Sequence, residues 1–209
     1  MHSERPIVVL GIGNLLWADE GFGVRCLEAL QQGWAFSPEV QLIDGGTQGL
    51  YLIQHVQSAS RLLILDAIDY GLPPGTLRQI EGDDVPAFLG AKKMSLHQTG
   101  FQEVLALARL TGHEPEEIVL IGCQPEELDD YGGSLRPSVR AAMDEALERA
   151  LAVLRRWGEQ PQPRAGLAAT EVPDCLALGA YETGRPAAGA ACRIGDERFM
   201  PQPEARPCA

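Results

Sequence analysis

The sequence predicts an α/β fold, a three-layer α/β/α sandwich on a mostly parallel, twisted sheet of five strands, one of them antiparallel. Three observations point to it. Short continuous apolar runs recur and end on glycine or aspartate, as strands buried on both faces do. Stripes of helical period lie between the runs, supplying the crossovers that parallel strands need. One connection is too short for such a crossover, so one strand must run the other way.

Ile7 to Leu10 is the first run, closed by Gly11. A helix follows from about Gly21, with Val24, Leu27 and Leu30 on one face and Gly33 as its stop. Val40 to Ile43 is the second strand and runs into Asp44-Gly45-Gly46-Thr47; Leu50, Ile53 and Val56 then form a second helical stripe. Leu62 to Leu65 is the third strand, ending on Asp66. The fourth, about Thr76 to Ile80, follows a gap holding Gly71, Pro73, Pro74 and Gly75. That gap is only about ten residues, where a parallel return takes about a dozen or more, so this strand should be antiparallel to the third. Past Ser95-Leu96-His97-Gln98, a helix with Phe101, Val104, Leu105 and Ala108 inward runs to about Gly112, and Ile118 to Ile121 is the fifth strand. The last helix begins near Pro137, turns Val139, Met143, Ala146, Leu147, Ala150 and Leu154 inward, and stops at Gly158 behind Arg155 and Arg156.

One domain over residues 1–158 is expected, with 159–209 a Pro/Ala-rich, largely irregular tail that holds seven of the fifteen prolines. Within the tail, the stretch from Cys192 to Met200 mixes large apolar and charged side chains and could dock on the domain or on a partner. The formal charge of -12, from 17 Lys and Arg against 29 Asp and Glu, repels phosphate backbones and anionic membrane surfaces. No nucleic-acid partner is expected. No segment approaches the roughly 20 apolar residues of a membrane helix, and Gly11 and Asn14 interrupt the first apolar run before a signal core could form. Five scattered cysteines without a Cys-x-x-Cys pair read as reduced thiols of a cytoplasmic protein.

In an open α/β sheet, ligands collect beyond the carboxyl ends of the strands. That rule selects Asp19-Glu20 after the first strand, Asp44 after the second, Asp66 at the end of the third, and His97 in a loop before a helix. Two or three carboxylates and an imidazole make an oxygen and nitrogen site for a divalent transition metal with positions left open. Taken singly, Asp19 and Asp44 read more readily as helix caps or turn formers, and His97 could equally be a hydrogen-bonded structural histidine. Gly11-Ile12-Gly13 follows a strand, but Leu16 stands where a dinucleotide fingerprint needs its third glycine. There is no phosphate loop, no Gly-x-Ser-x-Gly elbow and no His-Glu-x-x-His helix, so an enzyme built on this chain lacks an evident nucleophile of its own.

Six stretches in order resemble the hydrogenase maturation endopeptidases across most of residues 6 to 157. They are Gly11-Ile12-Gly13-Asn14 with Trp17-Ala18-Asp19-Glu20-Gly21-Phe22-Gly23, Asp44-Gly45-Gly46-Thr47-Gln48-Gly49, Asp66-Ala67, Pro74-Gly75, Ser95-Leu96-His97-Gln98-Thr99-Gly100, and Ile121-Gly122-Cys123-Gln124-Pro125. The subset serving uptake-type or membrane-bound hydrogenases fits best. The resemblance implies that Glu20, Asp66 and His97 contact nickel, and that Asp44 matters for activity by orienting a ligand or the substrate. It also implies the reaction: removal of the C-terminal extension of the nickel-iron hydrogenase large-subunit precursor after nickel insertion.

On this reading nickel arrives with the substrate, so the isolated chain should be metal-free or weakly loaded, and a monomer when free. The ion would polarise the scissile carbonyl or activate a water, which accounts for the missing nucleophile. The rival readings are a non-catalytic maturation chaperone that recognises the nickel-loaded large subunit, and a nucleotide binder using Gly11 and Gly13 at a helix N-terminus.

Overall fold

Along the central strands, successive side chains leave in opposite directions and both sets are buried. Val8, Leu10, Leu62, Ile64 and Leu120 enter one core, while Val9, Leu63, Leu65, Val119 and Ile121 enter another. Period-2 alternation with no polar face is what a sheet covered on both sides demands. The computed structural model in which these cores are seen describes residues 5–86, 96–164 and 177–185, with only the backbone of 96–100.

The strands are β1 (Ile7–Ile12), β3 (Val40–Gly46), β4 (Arg61–Ala67), β5 (Leu77–Glu81) and β6 (Glu117–Cys123), and they stand in the order β3-β1-β4-β6-β5. A short β2 (Trp34–Ala35) lies outside this sheet. β1, β3, β4 and β6 are parallel. β5 runs antiparallel, as the short connection after β4 requires, and its partner is β6. The central strand β4 thus sits between β1 and β6, with Leu63 aligned with Val9 and Val119.

α1 (Phe22–Gly33) buries Val24, Leu27 and Leu30 as its period predicts. α2 (Ile53–Ser58) is shorter than its stripe suggested. Gly49, at φ +52°, opens a tight 3-10 turn over Gly49–Leu52, which turns Leu52 inward and leaves Leu50 55% exposed. The inward pair is therefore Leu52 and Val56, four apart. α3 (Leu96–Leu110) buries Phe101, Val104, Leu105 and Ala108. The final helical stretch is two helices, α4 (Pro137–Ala141) and α5 (Met143–Arg156), meeting at Ala142. α1 and α5 cover one face of the sheet, α2 and α3 the other, giving three layers.

After Gly158, at φ +95°, the chain turns back. β7 (Gln162–Pro163) pairs with β2, and Ser37 donates from its amide and its hydroxyl to the Glu159 carboxylate at 3.0 and 2.7 Å. Within the tail, α6 (Leu178–Gly184) is described and docks on the domain; the stretch from Cys192 to Met200 lies outside the described residues. Among the described residues no helix is long and apolar enough to cross a membrane.

Candidate active site

The parallel strands end at one edge, and glycines let the chain fold tightly there. A side chain on Gly23, in the first turn of α1, would reach within 2.1 Å of the Leu65 carbonyl and 2.4 Å of the Ile12 carbonyl. One on Gly13 would come within 1.7 Å of the Glu20 carbonyl. One on Gly11 would come within 2.6 Å of the Gly23 carbonyl. Gly11, near the end of β1, and Gly13, just past it, therefore serve close packing of helix on strand, and Leu16 at the expected third glycine is exposed.

Glu20 is set on a 3-10 turn over Ala18–Gly21. Ala18, at φ +36°, is the one non-glycine in the left-handed region among the described residues, so the turn carries strain that its surroundings must hold. Asp19 does the holding. Fully buried, its carboxylate accepts from the amides of Glu126 and Glu127, both at 2.8 Å, and of Arg136 at 2.7 Å. It anchors turns, as a turn former would, but in a loop more than a hundred residues away. Held half-buried by this turn, Glu20 has its pKa pushed up to about 7, first by desolvation and then by the charge of Asp129.

Asp66 ends β4, fully buried, in register with Gly122 of β6. The Tyr70 hydroxyl occupies the space of a side chain on Gly122, 2.0 Å from where its Cβ would stand. Burial and then the Asp66 charge push that hydroxyl's pKa up. Gln124 fixes the loop that carries Tyr70: its Oε1 accepts from the Tyr70 and Leu72 amides at 2.7 and 3.1 Å, and its Nε2 donates to Asp69 at 2.9 Å.

Asp44 is exposed and accepts from the Gly46 amide at 2.9 Å, a local turn of the kind its sequence suggested. Its charge also reaches Glu28 on α1. The backbone of His97 is in the first turn of α3. Gln57 donates to Thr111, just past the end of α3, at 2.8 Å, and Glu116 bonds Ser60 beside the starts of β4 and β6. α3 thus ends at the amino edge of the sheet and begins at the carboxyl edge, the edge of Glu20 and Asp66. Among the described residues no three His, Cys, Asp or Glu side chains close on a single point; the His97 side chain is not among them.

Cys26 and Cys123 are buried free thiols. Burial, followed by the Asp19 charge, pushes the Cys123 pKa up to about 12, so it is no nucleophile near neutral pH. Sequence reading passed over Asp129, Tyr70 and Gln124. The run Glu126-Glu127-Leu128-Asp129-Asp130 marks an acidic loop, and Gln124-Pro125 was visible as a motif; Tyr70 carries no local signal.

A family model described as hydrogenase maturation protease matches residues 24–153. The hydrogenase expression/formation protein HoxM of Cupriavidus necator is similar at 70% identity over 200 residues, 94% of this chain and 98% of that one. The hydrogenase 2 maturation protease of Escherichia coli is similar at 42% identity, over 76% of this chain and 96% of that one. The solved structure of the hydrogenase maturating endopeptidase HybD from E. coli has the same fold, with a TM-score of 0.73 at 40% identity, over 76% of this chain and 98% of that one.

Proposed function

This chain belongs to the hydrogenase maturation protease family, and from that premise we propose that it removes the C-terminal extension of a nickel-iron hydrogenase large-subunit precursor once nickel has been inserted. The observation that carries the reading is the meeting of the Glu20 turn and the end of β4 at one sheet edge, through the contacts of Gly13 and Gly23. In this proposal Glu20, Asp66 and His97 complete the coordination of the nickel held by the substrate, and Asp44 orients a ligand or the substrate. Two carboxylates and an imidazole are a donor set suited to a borderline divalent ion. The nickel would supply Lewis-acid chemistry at the scissile peptide.

Asp66 is fully buried, so on this proposal its carboxylate becomes reachable only when the precursor binds. Three such ligands hold a free ion only modestly. Equilibrium dialysis of the isolated chain should therefore show weak nickel binding, and tight stoichiometric zinc would contradict a substrate-borne ion. The proposal further takes the chain as a cytoplasmic monomer when free; its charge of -12 argues against nucleic acid as a partner.

Mixing the protein with nickel-loaded precursor should release a C-terminal peptide detectable by mass. A stable complex with no peptide released would instead favour a non-catalytic chaperone.

A further inference from the structure

The tail returns to the active-site edge by way of α6. Glu182 receives Arg140 Nη1 on both carboxylate oxygens, at 2.6 and 2.8 Å, and the Ser134 hydroxyl at 2.8 Å. The Tyr181 hydroxyl donates to the Gly133 carbonyl at 3.3 Å. The guanidinium of Arg25, on α1, lies over the Tyr181 ring at 5.6 Å and pairs with Glu28 at 2.8 Å, and Arg25 is buried. A surface ion pair alone holds little, but Glu182 also takes the Ser134 hydroxyl and the Tyr181 ring lies against a buried cation, and together these contacts hold a short helix in one place.

Ser134 and Gly133 belong to the loop of residues 126–136, and the other side of that loop faces Glu20. Asp19 takes its amides at both ends, and Asp129 acts on Glu20. The Tyr131 ring meets Trp17 edge-on at 5.4 Å, and the Gly132 amide bonds the Leu16 carbonyl at 2.6 Å. The loop is thus held between the Glu20 turn and α6. Its rim is mixed: Leu16 and Tyr131 are exposed, and the acidic Asp129 stands beside them. α6 lies beyond residues 24–153, the span the family model matches, whereas HoxM of Cupriavidus necator aligns over 94% of this chain.

We propose that α6 is a buttress that fixes the 126–136 loop as one wall of the substrate cleft, which makes the C-terminal tail a specificity-determining part of this protease. The inference rests on the reading of the Glu20 edge as the place of cleavage. The wall fits a precursor segment carrying apolar and basic side chains around the cut.

The test uses full-length Glu182→Gln and Tyr181→Ala, with nickel-loaded precursor as substrate. Both variants should raise KM several-fold while kcat stays within about twofold, the pattern of lost binding rather than lost chemistry. Amide exchange at residues 129–133 should also quicken in both. Two folded variants with unchanged KM would overturn the specificity role, and unchanged exchange would overturn the buttress. A wild-type chain that cuts no precursor would overturn the active-site reading and the specificity role with it, whereas exchange reports the buttress by itself.

Discussion

Glu20 keeps its proton to about pH 7 because its carboxyl group is half-buried and Asp129 stands beside it. The folded pKa lies above the ordinary carboxylate value, so the fold favours the neutral acid; that stabilisation is complete below the ordinary value and is lost as pH rises through about 7. Glu20→Gln should therefore be more stable than wild type at pH 8, with the difference fading by pH 5, as read from denaturant midpoints. A variant less stable than wild type at pH 8 would contradict this. Metal contact needs the ionised carboxylate, so kcat/KM for nickel-loaded precursor should climb between pH 6 and pH 8. Asp19→Ala would leave three part-buried amides without their acceptor and should cost about 2 to 3 kcal/mol. Glu20 was legible as an acid in a loop after the first strand. The anchoring by Asp19 was not, because its acceptor contacts reach Glu126, Glu127 and Arg136, and no local pattern records such a distance. Asp129 acts on Glu20 only through tertiary approach, and is silent in sequence for the same reason.

At the level of single strands and helices, continuous apolar runs read correctly because the sheet is covered on both faces. β1 is buried along its whole length. The antiparallel β5 was legible from the shortness of its connection, though its neighbour was not, since a gap length fixes direction better than position. α2 departed from its stripe because Gly49 admits a positive φ and starts a tighter turn. The break at Ala142 has no breaker residue to announce it. Leu65→Ala should lower stability by about 2 to 5 kcal/mol in denaturant unfolding, with activity falling only as folded protein is lost. Gly23→Ala should do comparable damage, about 3 kcal/mol, because the new methyl group meets two backbone carbonyls rather than a side chain that can move aside. A well-folded, fully active Gly23→Ala would refute the close packing of α1 on the ends of β1 and β4.

Across the whole molecule, the sheet brings a turn after β1, the end of β4 and the start of α3 to one edge, although Glu20, Asp66 and His97 are far apart in the chain. A protease without a nucleophile of its own becomes intelligible if the substrate carries the ion that the edge receives, and cleavage then reports that nickel has been inserted. His97→Ala, in the first turn of α3 where the sequence suggested a loop, should leave the fold intact and abolish processing; normal cleavage by a soluble His97→Ala would end the ligand assignment. The most direct measurement compares nickel-loaded with nickel-free precursor, following the C-terminal peptide by mass. Release from the loaded precursor alone is the predicted result, and equal release from both would contradict recognition of the ion.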